Sequence, residues 1–124
     1  MAKAARLWAP VIAWMALLFY LSSRSDIGPA ARVPDWITHG TAYLVLGLLT
    51  GRAVAGGAAR RLSTAGALTV VGLCTLYGIS DEFHQSFVPG RDASAGDVAK
   101  DFAGAAVAAF VVHRRSAAAA KIEG

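Results

Sequence analysis

A chain of 124 residues that is 56% hydrophobic and only 16% charged falls well below the roughly 25% charge of soluble domains, so it reads as one small membrane domain rather than a soluble core. Its net charge of +4 does not indicate nucleic acid as a partner, because the bases sit at the ends of apolar runs and not on one polar face. The single cysteine, Cys74, excludes an intramolecular disulfide and a Cys-based metal site; inside an apolar run it reads as a small buried hydrophobe.

The first apolar segment spans about residues 4–22. Lys3 and Arg6 precede it, but no small-x-small cleavage site follows, so it reads as a retained helix rather than a removed signal. Trp8 and Tyr20 suit the two headgroup levels, and Pro10 is placed in the first turns, where a missing N–H costs little. Ser22 to Pro34 is a loop, marked by Gly28-Pro29 and Val33-Pro34. Asp35 is then expected to cap the second segment, about 36–54, with its carboxylate.

His39 and Tyr43 are four apart and share one face of that segment, and Gly47 and Gly51 form a G-x-x-x-G pattern suited to close helix contact. A Gly-rich loop leads to a third segment, about 62–86, in which Gly66 and Gly72 again suggest close packing. Pro89-Gly90 is a turn signal. The fourth segment, about 95–113, has Ser94 as its cap, carries Asp97, Lys100 and Asp101 in its first turns, and ends in His113-Arg114-Arg115, a basic flank. The Ala-rich residues 116–124 are expected as a frayed helix or a disordered tail.

Four apolar segments predict an all-α, polytopic protein, a compact bundle of four transmembrane helices, because a chain in lipid must satisfy its backbone internally. With the N-terminus set in the cytoplasm, eight of the 12 bases and one of the 8 acids fall on the inner side. The outer side then holds the other four bases and seven acids. The positive-inside rule therefore puts both termini in the cytoplasm. His39, the stretch Asp81–His84, Asp97 and Asp101 all converge on the outer face.

That stretch, Tyr77-Gly-Ile-Ser-Asp81-Glu82-Phe-His84-Gln85-Ser-Phe-Val-Pro89-Gly90-Arg91, is the densest group of ionisable residues in the chain. Asp81 and His84 are three apart and share a face. With His39 and Asp97 they suit a divalent metal, or a general base with its orienting partner. The plain alternative is a structural network, with Arg91 paired to Asp81 or Asp97 and His39 bonded to a carboxylate. Glu82 either joins the site or points away into solvent. Gln85 is a hydrogen-bonding gate or a helix end. Arg91 has the planar fork that matches phosphate or carboxylate, and is otherwise an interfacial arginine. Tyr43 and Tyr77 fit an aromatic belt better than catalysis. Ser22 and Ser23 have no neighbouring base in the sequence, so they read as helix-end caps.

The Asp81-Glu82-x-His84-Gln85 core with its Pro89-Gly90-Arg91 turn closely resembles the signature of VanZ-like membrane proteins. So do Asp97 with Asp101-Phe-Ala-Gly104, Phe19-Tyr20-Leu21-Ser22-Ser23, and Asp35-x-x-x-His39 with Tyr43. The resemblance covers about Trp8 to Val112. It departs at Trp36, Gly40 and Asp101, where the family often carries Lys, Phe and Asn. The acid at 101 favours a cation.

The resemblance implies a small protein of the bacterial plasma membrane, in a family named for low-level teicoplanin resistance. The expected function is binding of a cell-wall or anionic lipid-linked component at an outer-face pocket, altering glycopeptide susceptibility. Asp81, Glu82 and His84 are the candidate catalytic residues, and His39, Tyr43, Gln85, Arg91, Asp97 and Asp101 the candidate pocket. The alternative is a hydrolase or transferase using Asp81, Glu82 and His84 on an anionic lipid. The lipid bilayer is the expected surrounding partner. No cofactor is specified beyond a divalent metal that the donor set admits.

Overall fold

The structure, a computed structural model, describes residues 1–24 and 28–123. Four helices make it up: α1 (Ala2–Ser22), α2 (Asp35–Ala55), α3 (Thr64–Gln85) and α4 (Ala95–Glu123), with a 3-10 turn over Gly28–Arg32 before α2. There is no strand among the described residues. Of the loop expected over 22–34, residues 25–27 lie outside the described residues.

Three helix ends have a clear local cause. Ser63 caps α3, its hydroxyl accepting from the Gly66 amide at 3.0 Å. Ser94 does the same for α4 through the Asp97 amide at 3.2 Å, as its type predicts. Gly56, at φ +85°, ends α2 in the left-handed conformation that glycine adopts without a Cβ penalty. The Gly57 amide then reaches back to the Arg52 carbonyl at 3.0 Å.

One end expectation changes. Asp35 is the first residue of α2 and its carboxylate caps nothing; Pro34 takes the cap position. The carboxylate is drawn instead to Lys100 and His39. Of the two alternatives for the tail, the helix is the one found, since α4 runs unbroken to Glu123. One turn past the expected end, the Ser116 hydroxyl accepts from the Leu62 amide at 3.0 Å. His113 also does more than flank: its Nδ1 lies 2.8 Å from the Leu62 carbonyl.

Pro10 falls deep in α1, because the helix begins at Ala2. Proline leaves the carbonyl four residues back without its helical donor. That carbonyl, of Arg6, receives a long bond of 3.4 Å from Arg52 Nη1 of α2.

The bundle is centred on α2 and α4, which share the largest interface, while α1 packs mainly on α2 and only lightly on α3. Small residues make the centre close. A Cβ added at Gly47 would meet the Ala108 Cβ at 2.6 Å, and one at Gly51 would meet Val112 at 3.3 Å. At Gly104 it would fall 2.5 Å from the Gly40 carbonyl oxygen and 3.0 Å from the Leu44 nitrogen. The G-x-x-x-G pattern is therefore a contact seam against α4. Gly72, by contrast, faces open space.

The core combines Leu46, Leu62, Val70 and Cys74 with small Ala105, Ala108 and Ala109. Cys74 Sγ lies 3.9 Å from Thr50 Oγ1. Outside lies a shell of large apolar side chains, among them Ile12, Leu68, Leu76, Phe83, Phe102 and Phe110, all about half exposed or more. One helix among the described residues, α1, is long and apolar enough to cross a membrane.

Candidate functional site

The site forms where the N-terminal turns of α2 and α4 meet the C-terminal turns of α3. His39, one turn into α2, points at α4. Its Nδ1 lies 2.7 Å from Asp101 Oδ1 and its Nε2 3.5 Å from Asp35 Oδ1. Asp101 is fully buried. Its second oxygen, Oδ2, has no hydrogen-bond partner among the described residues. Gly78 of α3 makes room for it: a Cβ there would meet Asp101 Oδ2 at 3.0 Å.

Glu82 and Asp81 are both buried. Glu82 Oε2 accepts from the Ser94 amide at 2.8 Å, so it ties α3 to the start of α4. Asp81 Oδ2 accepts from Gln85 Nε2 at 3.2 Å, one turn on. Each acid has one oxygen left over, Glu82 Oε1 and Asp81 Oδ1, without a partner among the described residues. A solvated Glu82 is thus ruled out; the two adjacent acids both face inward because α3 packs against both α2 and α4.

Lys100 lies outside this inner group. Its ammonium bonds Asp35 Oδ2 at 2.5 Å and Asp97 Oδ1 at 3.1 Å. Five carboxylates therefore gather around one lysine and one histidine. Asp35 and Asp97 share the lysine, while the inner acids Glu82 and Asp101 lie beside His39 and Asp81 bonds Gln85.

His84 does not join them. It stacks on Phe19 of α1, with ring centroids 4.1 Å apart and planes 15° apart. Its Nδ1 lies 3.0 Å from Ser22 Oγ and its Nε2 3.4 Å from Ser23 Oγ. The shared face predicted for Asp81 and His84 does not bring them into contact: one turn of helix sends Asp81 to the cleft and His84 to α1. The single site expected from sequence is two sites.

Arg91 pairs with neither Asp81 nor Asp97. Its Nε donates to the Arg24 carbonyl at 2.8 Å and its Nη2 to the Leu21 carbonyl at 2.7 Å. It serves the C-terminal end of α1, where carbonyls lack helical donors and a cation is favoured. The two tyrosines are not belt residues. Tyr43 is 2% exposed with an unpartnered hydroxyl, and the Tyr77 hydroxyl donates to the Met15 carbonyl of α1.

Between α1, α2 and α3 opens a cleft of about 410 Å³. Trp14, Leu18, Leu21 and Ile37 give it an apolar wall. His39, Asp81, Gln85 and Arg91 give it a polar end, and Ser22 reaches its lining. Sequence reasoning missed Ser22 and Ser23 as partners of His84, because the base lies 62 and 61 residues away. It also missed Lys100 as the clamp of Asp35. The Asp97-x-x-Lys100 spacing was the available signal for half of that clamp.

An all-helical bundle with an acid–histidine cluster buried at one end is the class that fold and site define. The family model described as VanZ/LLP1 matches residues 7–116, and the chain belongs to that family. No curated protein and no solved structure matches the chain.

Proposed function

We propose that this VanZ-family chain is a four-span protein of the bacterial plasma membrane with both termini in the cytoplasm. In this reading its outer-face cleft binds an anionic lipid-linked component of the cell wall or envelope, and binding alters glycopeptide (teicoplanin) susceptibility. The observation that carries the reading is the amphipathic cleft. Its apolar wall suits an acyl or isoprenoid chain, and its polar end suits a headgroup. Arg91 uses two of its five N–H donors on carbonyls, leaving the others for a phosphate or carboxylate.

Membrane insertion is supported by the inverted distribution of side chains. Leu68, Phe83 and Phe110 are more than 60% exposed while Asp101 is fully buried. Lipid favours that arrangement, since ionisable groups there face the bundle interior. All four helices contribute exposed apolar residues, which supports four spans over a single α1 anchor.

Photo-cross-linking with a phosphatidylglycerol analogue tests the cleft. Labelling is expected on peptides holding Trp14, Leu18 and Ile37. Labelling confined to the outer residues Leu76 and Phe110 overturns it.

A second reading, a hydrolase or transferase acting through His84 rather than through Asp81, Glu82 and His84 together, is favoured by one observation. Ser22 Oγ, at the cleft lining, lies 3.0 Å from His84 Nδ1, within reach for nucleophile activation. Turnover of an anionic lipid by the purified protein, lost in Ser22→Ala, separates it from simple binding.

A further inference from the structure

We propose that His39, Glu82 and Asp101 form a binding site for a first-row divalent cation, Mn²⁺ or Zn²⁺. One ligand atom from each of the three residues lies within 4.8 Å of the other two. They come from three different helices, so the site exists only in the packed bundle. Side-chain adjustment to about 3.3 Å between ligand atoms, inside the 4.8 Å span and wider than the 2.7 Å His39 Nδ1–Asp101 Oδ1 approach, gives the spacing of a tetrahedral centre with bonds near ~2.0 Å.

Proximity of acids alone does not make a metal site. The second observation is unmet valence in a buried place. Asp101 is 0% and Glu82 7% exposed, yet Asp101 Oδ2 and Glu82 Oε1 have no hydrogen-bond partner among the described residues. A buried carboxylate oxygen without a donor is costly. Three inner acids, with Asp81 Oδ1 also unmatched, face one histidine. A divalent cation supplies the missing positive charge and offers the buried carboxylates a partner.

The neighbouring group of Asp35, His39 and Asp97 is also within 4.8 Å of itself. It carries no such site, because Lys100 already occupies Asp35 and Asp97. The lysine marks the outer limit of the cation seat. The donor set selects the ion class: one imidazole nitrogen with carboxylate oxygens suits Mn²⁺ and Zn²⁺, whereas an all-oxygen set suits Mg²⁺ or Ca²⁺. Asp81 and Tyr43 stand next to the seat. Asp81 and His39 also line the cleft, which gives the ion a path in.

The site is independent of the lipid reading and is tested with the metal alone. Full-length protein in detergent, stripped with chelator, is titrated with Mn²⁺ while free Mn²⁺ is followed by electron paramagnetic resonance. One equivalent is expected to bind, with Zn²⁺ displacing it. Glu82→Gln and Asp101→Asn are each expected to weaken binding at least tenfold, and Asp92→Asn to leave it unchanged. Wild-type protein also gives a readout that needs no variant: electron spin-echo modulation of bound Mn²⁺ should show one imidazole nitrogen, lost in His39→Gln. A wild type that leaves the free Mn²⁺ signal unchanged and retains no Zn²⁺ overturns the site, as does binding that is undiminished in folded Glu82→Gln and Asp101→Asn. Bound Mn²⁺ without nitrogen coupling overturns it too, because His39 is then not a ligand.

Discussion

His39 Nδ1 of α2 lies 2.7 Å from Asp101 Oδ1 of α4, across 62 residues of chain and at the closest interface in the bundle. The two residues join the ends of helices that otherwise meet through glycine and alanine. A polar bond at the rim of a small-residue seam fixes which turn of α2 faces which turn of α4.

Removing the histidine leaves the Asp101 carboxylate buried and uncompensated. His39→Ala is expected to cost about 3–5 kcal/mol, the usual effect of breaking a buried pair from one side. His39→Gln keeps a donor and should cost less. Thermal unfolding in detergent, followed by circular dichroism, checks both. Equal midpoints for His39→Ala and wild type would remove the pair from the structural account.

Ser22 and His84 dock α1 onto α3, where the two helices have few other contacts. A double-mutant cycle with Ser22→Ala and His84→Ala should give a coupling of about 0.5–1.5 kcal/mol, that of one hydrogen bond. Additive losses would mean that the 3.0 Å approach contributes nothing.

Gly104 and Gly72 make a paired test of packing. Gly104→Ala pushes a methyl group against the α2 backbone at Gly40 and Leu44, which cannot yield as a side chain can. The expected loss is about 1–3 kcal/mol. Gly72→Ala meets nothing within 4 Å. It should instead raise stability by about 0.5–1 kcal/mol through helix propensity. Unfolding midpoints moving in the same direction would contradict the α2–α4 seam.

The orientation is checked with single cysteines in a Cys74→Ser background. Asp92→Cys, on an exposed loop position, should react with an impermeant maleimide in intact cells. Lys121→Cys, exposed on the last turns of α4, should react only after the membrane is opened. The reverse pattern would place the cleft on the cytoplasmic side.

The helices were legible because runs of Ala, Leu and Val are broken by Gly56-Gly57, Pro89-Gly90 and capping serines, all local signals. A close contact on α2 was legible for the same reason, since Gly47 and Gly51 fall one turn apart, but α4 as its partner was not. The inner cluster was legible in outline, because charge placed His39, Asp81, Asp97 and Asp101 at one end. Partner choice was not. Asp81 and His84 share a helix face, yet the packing of α1 takes His84 to Ser22 and Phe19. Arg91 looked like an acid's partner and instead closes carbonyls 67 and 70 residues back. Tyr43 looked interfacial and is buried because Gly78 lets α3 approach it, with a Cβ at 78 only 3.4 Å from its ring. These choices depend on which helices pack together, and no local spacing records that.

The central claim is that the cleft retains an anionic lipid-linked molecule through its polar end. Native mass spectrometry of the protein extracted from its membrane tests it most directly. The account predicts a co-purifying anionic lipid species on the wild type and on Arg91→Lys, lost or reduced at least tenfold on folded Arg91→Ala. Wild-type protein carrying no anionic lipid, or carrying the same amount as folded Arg91→Ala, would contradict it.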